Sequence, residues 1–279
     1  MNKGIIVKIN KALYFVKLED NSTIICSIRG KIRNDDSLPL VGDFCDIEIN
    51  NKTIENIHER RNKLIRPLVS NIDKVFIVVS TKIPKFSSYM LDKFLVLSSM
   101  NNIEPIIIIT KTDLLNSREK KVINTYISYY RKIGYKVYKN TKLRKIKKEI
   151  KTFVVALAGQ TGSGKSSLLN KLDKNLLLKT DEVSISLGRG KHTTRLVELI
   201  DTCGGLVADT PGFSSLELEI DKTMLKNHFI EFSRDCKYKS CNHINEDGCK
   251  VIKDVLSNKI SKERYDNYIK MYEEVSRRK

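Results

Sequence analysis

Apolar and polar positions change their period twice along the chain. Over residues 1–65 the spacing is close to two. Ile5, Val7 and Ile9 alternate with other residues, and short apolar runs follow at Ala12 to Leu18, Thr23 to Ile28, Asp43 to Ile49 and Thr53 to Ile57. Such alternation predicts half-buried strands. Gly30, the Arg29/Lys31/Arg33 cluster, Asn34-Asp35-Asp36, Pro39 and Gly42 read as the loops between them. Five short strands in about 60 residues suit an OB-type β-barrel. Tyr14, Phe15 and Phe44 could stack on bases there, with core packing expected for at least two of them.

From Asp73 the pattern becomes alternating strands and helices. Strands are predicted at Lys74 to Ser80, Glu104 to Thr110, Tyr135 to Tyr138 and Phe153 to Ala158. Helices are predicted at Ser87 to Met100, with Met90-Leu91, Phe94-Leu95 and Leu97 on the apolar face, and at Arg118 to Ile133, stopping at Gly134. Parallel strands joined by helices bind ligands outside their carboxyl ends, and Thr110 and Gly159 both fall at such ends. The last stretch is helical at Lys250 to Leu256 and Glu263 to Val275. Three domains follow: 1–65, 66–220 and 221–279.

Net charge is +18, unevenly spread. Residues 66–152 carry 19 Lys/Arg against 6 Asp/Glu, or +13, whereas residues 153–220 carry 7 against 8, or −1. Much of the excess lies in Lys136, Lys139, Lys142, Arg144, Lys145, Lys147, Lys148 and Lys151, which favours contact with a polyanion such as RNA. The longest apolar run, Ile106 to Ile109, is far too short to cross a membrane. With no signal-peptide pattern at Met1-Asn2-Lys3-Gly4-Ile5, a cytoplasmic chain without a membrane partner is expected.

The chemistry is densest at Gly159-Gln160-Thr161-Gly162-Ser163-Gly164-Lys165-Ser166-Ser167. This is the phosphate-binding pattern G-x-x-x-x-G-K-[ST], set between a strand and a helix as it must be. Glycines bring backbone N–H groups close to phosphate oxygens, and the helix start directs its positive end at the same anion. Lys165 is expected at the β- and γ-phosphates and the Ser166 hydroxyl on Mg²⁺.

Thr110-Lys111-Thr112-Asp113 matches the guanine-specificity pattern [N/T]-K-x-D. A carboxylate at Asp113 accepts from guanine N1–H and N2–H₂, whereas adenine presents an acceptor at N1. The Lys111 stem would lie along the base. Gly190-Lys191-His192-Thr193-Thr194 offers hydroxyls for a first switch, with Thr193 or Thr194 as the second protein ligand of Mg²⁺. In Asp209-Thr210-Pro211-Gly212, Asp209 would hold Mg²⁺ through water and the Gly212 N–H would meet the γ-phosphate. The guanine motif normally follows these elements. Here it precedes them, so the order is circularly permuted. Whatever follows Gly212 could then be moved by collapse of the second switch.

Cys236, Cys241, His243 and Cys249 form C-x₄-C-x-H-x₅-C, a closed set of three thiolates and one imidazole suited to structural Zn²⁺. Cys26, Cys45 and Cys203 are scattered and read as small apolar residues. Tyr265, Tyr268 and Met271-Tyr272 lie at helical spacing and are expected to pack, and the tail Arg277-Arg278-Lys279 offers charge for RNA phosphate.

With these motifs in this order, the chain resembles the bacterial ribosome small-subunit-dependent GTPase A family over essentially its whole length. Gly188 to Thr194, Val41-Gly42-Asp43, Arg66-Pro67 and Asn71-Ile72-Asp73 extend the likeness. The resemblance implies a barrel, a permuted GTPase domain and a helical zinc domain that dock together on the 30S subunit and its 16S rRNA late in the subunit's maturation. GTP hydrolysis to GDP, stimulated by the subunit, would then release the factor. Nothing in the sequence suggests an obligate dimer, so a monomer is expected. The segment Val137 to Lys151 is shorter and more basic than the family pattern, and the family's Ser-Ala-type guanine-supporting loop is not evident, with Asn140-Thr141 standing about where it belongs.

Many GTPases carry a Gln after D-x-x-G to orient water, but here the position is Phe213. Slow intrinsic turnover follows, with His192 the candidate to orient the water. A GTP-binding rRNA scaffold that scarcely hydrolyses is the alternative, and a P-loop ATPase or kinase is disfavoured by Asp113.

Overall fold

The computed structural model describes residues 2–29, 38–65, 68–176, 197–209, 217–232 and 235–277. Several expectations lie outside them: the Lys31/Arg33 loop, Arg66-Pro67, Gly188 to Thr194 with His192, Thr193 and Thr194, and Thr210 to Phe213 with Gly212.

Five strands make the barrel: β1 (Asn2–Asn10), β2 (Leu13–Leu18), β3 (Thr23–Ile28), β4 (Phe44–Glu48) and β5 (Thr53–Ile57). They run in the order β1-β2-β3-β5-β4, and pairing of β1 with β4 closes the ring. Ile6, Val16, Cys26, Cys45, Ile47 and Ile54 fill it.

Ile5, Val7 and Ile9 share the face toward a neighbouring core, and Ile9 touches the barrel core as well. A register shift between Ile6 and Lys8 breaks β1, and Ile6 is the residue buried in the barrel. Ile5 and Val7 pack instead into the neighbouring core. One extra residue in a strand reverses the faces beyond it, so β1 can serve two cores. Among the three aromatics, only Tyr14 joins the barrel core. Phe15 is half-buried, with the Lys8 ammonium 5.8 Å from its ring centre, and Phe44 is exposed.

A short hairpin, β6 (Lys63–Ile65) with β7 (Leu68–Ser70), leads out of the barrel. The fully buried Asp43 holds this junction together. It accepts from Ser70 Oγ at 2.6 Å, from Leu40 N at 2.7 Å and from Arg60 Nε and Nη2 at 2.8 Å. Gly42 beside it has φ +95°, and a Cβ there would stand 2.1 Å from the Ser70 carbonyl. Only glycine fits.

The second sheet has the order β10-β9-β8-β11-β13-β12. Its strands are β8 (Lys74–Ser80), β9 (Glu104–Thr110), β10 (Lys136–Lys139), β11 (Val154–Ala158), β12 (Glu198–Thr202) and β13 (Gly205–Asp209). All are parallel except β12, which forms a hairpin with β13 and meets β1 through the Lys8–Glu198 pair. Barrel and second sheet are thus one continuous hydrogen-bonded surface.

The flanking helices are α1 (Ser88–Met100), α2 (Ser117–Lys132), α3 (Leu143–Ile150) and α4 (Lys165–Leu172). Ser87 caps α1, and Asn116 with Glu119 makes a reciprocal cap on α2. Leu91, Phe94 and Leu95 of α1 and Ile123 and Ile127 of α2 cover one face of the sheet, while Ile146 and Ile150 of α3 and Leu168, Leu169 and Leu172 of α4 cover the other.

The C-terminal part holds a 3₁₀ turn (Leu225–His228), α5 (Lys250–Leu256) and α6 (Lys262–Ser276). Tyr268 and Met271 are fully buried with Phe229 and Val96 of α1, as the helical spacing of the aromatics implied. Among the described residues, no helix is long and apolar enough to cross a membrane.

Candidate nucleotide site and metal centre

The carboxyl ends of the parallel strands come out level. Ser80 pairs with Thr110, Ile109 with Lys139, and Ala158 with Ile77. Ala208, one residue before Asp209, lies beside Ala156. The segments after β9, β11 and β13 therefore share one rim, which brings Thr110 to Asp113, Gly159 to Ser167 and Asp209 together.

The phosphate loop wraps around Lys165, whose ammonium donates to the carbonyls of Gly159 at 2.9 Å and Gln160 at 3.0 Å. Gly159 has φ +139°, and a Cβ on it would stand 2.2 Å from the Val78 carbonyl, so β8 forbids any side chain there. Gly164, also left-handed, precedes the first residue of α4. The Ser163 hydroxyl is buried without a hydrogen-bond partner among the described residues. Thr161 and Ser167 are exposed and Ser166 half-buried on the first turn of α4.

The guanine-type motif is bolted onto that loop. Thr110 Oγ1 donates to the Ser163 carbonyl at 2.6 Å, and Lys111 Nζ donates to the Gly162 carbonyl at 2.8 Å. Lys111 sits at φ +57°, which turns the chain into the 3₁₀ turn Thr112–Leu114 and leaves Asp113 exposed at the rim. Asn140 N donates to the Ile109 carbonyl at 2.9 Å, so the Asn140-Thr141 turn flanks the same motif.

Sequence reasoning missed Thr81. Its hydroxyl donates to the Lys111 carbonyl at 2.8 Å and the Thr110 carbonyl at 3.1 Å, fixing the motif's backbone from the residue just after β8. No pattern in the chain marks it, because its role depends on strands 29 residues apart lying side by side.

Residues 57–219 match the sequence profile described as RsgA GTPase, and residues 3–56 match the RsgA N-terminal domain. The chain belongs to the RsgA GTPase family. It is similar to the "Small ribosomal subunit biogenesis GTPase RsgA" of Geobacillus sp. (strain WCH70), at 43% identity over 100% of this chain and 99% of that one. Its namesake from Staphylococcus haemolyticus is 42% identical over the same shares of the two chains. Among solved structures, YjeQ from Thermotoga maritima superposes with a TM-score of 0.89 at 33% identity, covering 100% of this chain and 99% of that chain. YloQ, described as a circularly permuted GTPase, superposes at 0.86 with 37% identity, covering 100% and 96%. Family membership makes the chain a circularly permuted GTPase, and with it come GTP and Mg²⁺.

The second centre lies beyond residue 219, where the match to the RsgA GTPase profile ends. Cys236, Cys241, His243 and Cys249 point their donor atoms at one another, all within 4.8 Å. His243 Nδ1 stands 3.5 Å from Cys236 Sγ and 3.4 Å from Cys241 Sγ and Cys249 Sγ, and Cys236 and Cys249 Sγ are 3.9 Å apart. A tetrahedron with bonds of about 2.3 Å to sulfur and about 2.0 Å to nitrogen has edges of about 3.5–3.8 Å, so this donor set fits a thiophilic metal ion.

A shell behind the donors sets their positions. Glu246 accepts from the backbone N–H of Asn242 at 2.6 Å, Ile244 at 2.8 Å and Asn245 at 3.2 Å. Lys226 Nζ holds the Cys241 carbonyl at 2.6 Å, Tyr265 holds the His243 carbonyl at 2.7 Å, and the Tyr268 hydroxyl donates to the Asn242 carbonyl. These residues were unmarked in the sequence because any charged or aromatic side chain there looks like ordinary surface or core.

Proposed function

We propose that the chain is a GTPase that binds the 30S ribosomal subunit through its 16S rRNA, assists the subunit's maturation, and hydrolyses GTP to GDP and phosphate when the subunit stimulates it. The observation that supports this reading is the fastening of Thr110 and Lys111 onto Ser163 and Gly162, which sets a guanine-type motif against a phosphate-loop sequence. The relatives named for small-subunit biogenesis supply the partner. Asp113 reads guanine. The loop Gly159 to Ser167 and the N–H of Gly212 hold phosphates, Lys165 neutralises their charge, and Ser166, Thr193 or Thr194 and, through water, Asp209 attend Mg²⁺. The domains are 1–65, 66–220 and 221–279, and the protein acts as a cytoplasmic monomer. Cys236, Cys241, His243 and Cys249 hold one Zn²⁺, which has a structural role because four protein donors leave no open position.

His192 orients the attacking water in place of the Gln that Phe213 replaces. Phe213 favours the second reading, a GTP-binding rRNA scaffold with negligible turnover. Phosphate release with and without purified 30S subunits separates the two: stimulation by the subunit supports the GTPase, and its absence the scaffold. His192→Ala is expected to lose the stimulated rate and keep GTP affinity; equal stimulated rates in both proteins would remove His192 from the mechanism.

A further inference from the structure

The basic excess of residues 66–152 is resolved by α3 into one surface. Leu143, Ile146 and Ile150 turn inward, and Ile146 and Ile150 are fully buried against Leu168, Leu169 and Leu172 of α4. Lys142, Arg144, Lys145, Lys147, Lys148 and Lys151 are all exposed. Glu149 is the only acid between Asn140 and Thr152. It is taken up elsewhere, by Lys74 Nζ at 2.9 Å, the Tyr138 hydroxyl at 2.9 Å and Lys136 Nζ at 3.2 Å. Burial works against the Glu149 charge, but these donors outweigh it and hold its carboxyl below the ordinary value. Among the described residues, none of the six outward cations has an acid within ion-pair distance.

We propose that the outward face of α3 docks on the phosphate backbone of RNA. Four features of the helix carry this. Its cations recur at three- and four-residue spacing, which lines them up along one face about 5–6 Å apart. Among the described residues they are not spent on internal ion pairs. The face presents five lysines and one arginine and no aromatic ring on which a base could stack, a set suited to contact with phosphate. The helix is also held rigidly from beneath, by Ile146, Ile150 and the Lys74–Glu149 pair, so the charges need little ordering on binding. The choice of RNA over another polyanion rests on the proposed ribosomal partner. Because α3 starts two residues after Asn140-Thr141, docking takes place beside the guanine end of the nucleotide site.

The test compares two full-length variants. One carries Arg144→Gln, Lys147→Gln and Lys148→Gln, which keep helix propensity. The control carries Lys120→Gln, Lys121→Gln and Lys132→Gln, exposed lysines of α2 that remove the same charge. Binding to purified 30S subunits with a non-hydrolysable GTP analogue is measured across 50–200 mM salt. The α3 variant should bind at least about tenfold more weakly, with a salt slope shallower by about two to three, since each phosphate contact contributes about 0.7–0.9. The control should match wild type, and both should bind GTP normally. Equal affinity and slope in the α3 variant overturn the proposal. If wild type does not bind the subunit, the functional reading fails by itself and a generic RNA duplex decides: loss confined to the α3 variant upholds the docking face, while equal RNA binding, or binding only to anionic lipid vesicles, refutes it.

Discussion

Thr110 and Ser163 lie 53 residues apart and are joined by a hydrogen bond of 2.6 Å from the threonine hydroxyl to the serine carbonyl. Thr110 is 3% exposed, so the bond is shielded from water. It makes the guanine motif and the phosphate loop one rigid object, and it explains why Thr can stand where Asn is common: a hydroxyl suffices to reach one carbonyl. Thr110→Val keeps the shape and leaves that carbonyl unpaired, a loss of about 1–3 kcal/mol. GTP affinity should fall by about five- to a hundredfold on that basis, and Thr110→Ser should restore most of it. Titration with a fluorescent GDP analogue checks this; a valine variant that binds as wild type would show that the two loops are held by other means.

Glu246 organises the metal loop with both carboxylate oxygens. Oε1 takes the Asn242 N–H, and Oε2 takes those of Ile244 and Asn245. Glu246→Gln preserves size but turns one acceptor into an amide donor facing an N–H. Metal affinity should drop by about tenfold, the usual cost of losing a partner behind the ligands, as read by competition with a coloured chelator. Burial raises the Glu246 pKa, but the backbone N–H groups outweigh that and lower it overall. A carboxyl with a depressed folded pKa stabilises fully above its unfolded pKa, and the contribution disappears as pH falls through the folded value. The glutamine variant should accordingly lose part of the wild type's acid-side stability change below about pH 4.5.

The same centre couples metal to protons. Burial and the neighbouring thiols push the Cys241 thiol up to about 12, and burial raises Cys249 as well. Burial lowers His243, which is therefore already neutral at pH 7. Before metal binds, both thiols hold their protons at pH 7, and binding must expel them. Closing a site of three thiolates expels up to three protons, so apparent metal affinity should rise by up to about a thousandfold per pH unit between about pH 6 and 8, and fall equally on acidification. Calorimetry in buffers of different ionisation enthalpy counts the protons. Release of none would mean the thiols are ionised beforehand.

How far the chain was legible follows from where each residue's partners lie. The runs 74–80, 104–110 and 250–256 are the observed spans of β8, β9 and α5, because continuous apolar runs and helical spacing are local signals. The phosphate loop and the Cys/His spacing were equally local. β12 was not seen, since Glu198-Leu-Ile-Asp-Thr202 is a short strand with polar ends that acquires its identity from β13 on one side and β1 on the other. The β1 bulge was hidden for the same reason. Thr81, Glu246 and Arg264 are also silent in sequence, as each acts through groups brought to it by the fold.

Arg264 is the extreme case. Within α6 it looks like a solvated helix charge, yet it is 2% exposed and forms ion pairs with Asp92 of α1 and with Glu231. Asn267 and Tyr130 add hydrogen bonds to Asp92 at 2.7 and 2.6 Å, and the guanidinium carbon lies 4.9 Å from the Phe229 ring centre. Burial disfavours its charge, but Asp92 and Glu231 outweigh that and keep it protonated. Around this core, Lys93 pairs with Glu274 at 2.7 Å, and the Tyr126 hydroxyl donates to Glu263 at 2.6 Å. The metal module is thereby fastened to α1 and α2, on the side of the sheet opposite α3 and α4. A second switch that collapses after hydrolysis must work against this fastening to displace the module. Arg264→Met would leave two buried carboxylates without their cation, a loss of about 3–5 kcal/mol. Urea unfolding of the metal-loaded protein should show that loss, while Arg264→Met combined with Asp92→Asn and Glu231→Gln should recover part of it, because the orphaned charges are then gone. A single variant as stable as wild type would mean that the module is held by its apolar contacts alone and is free to follow the switch.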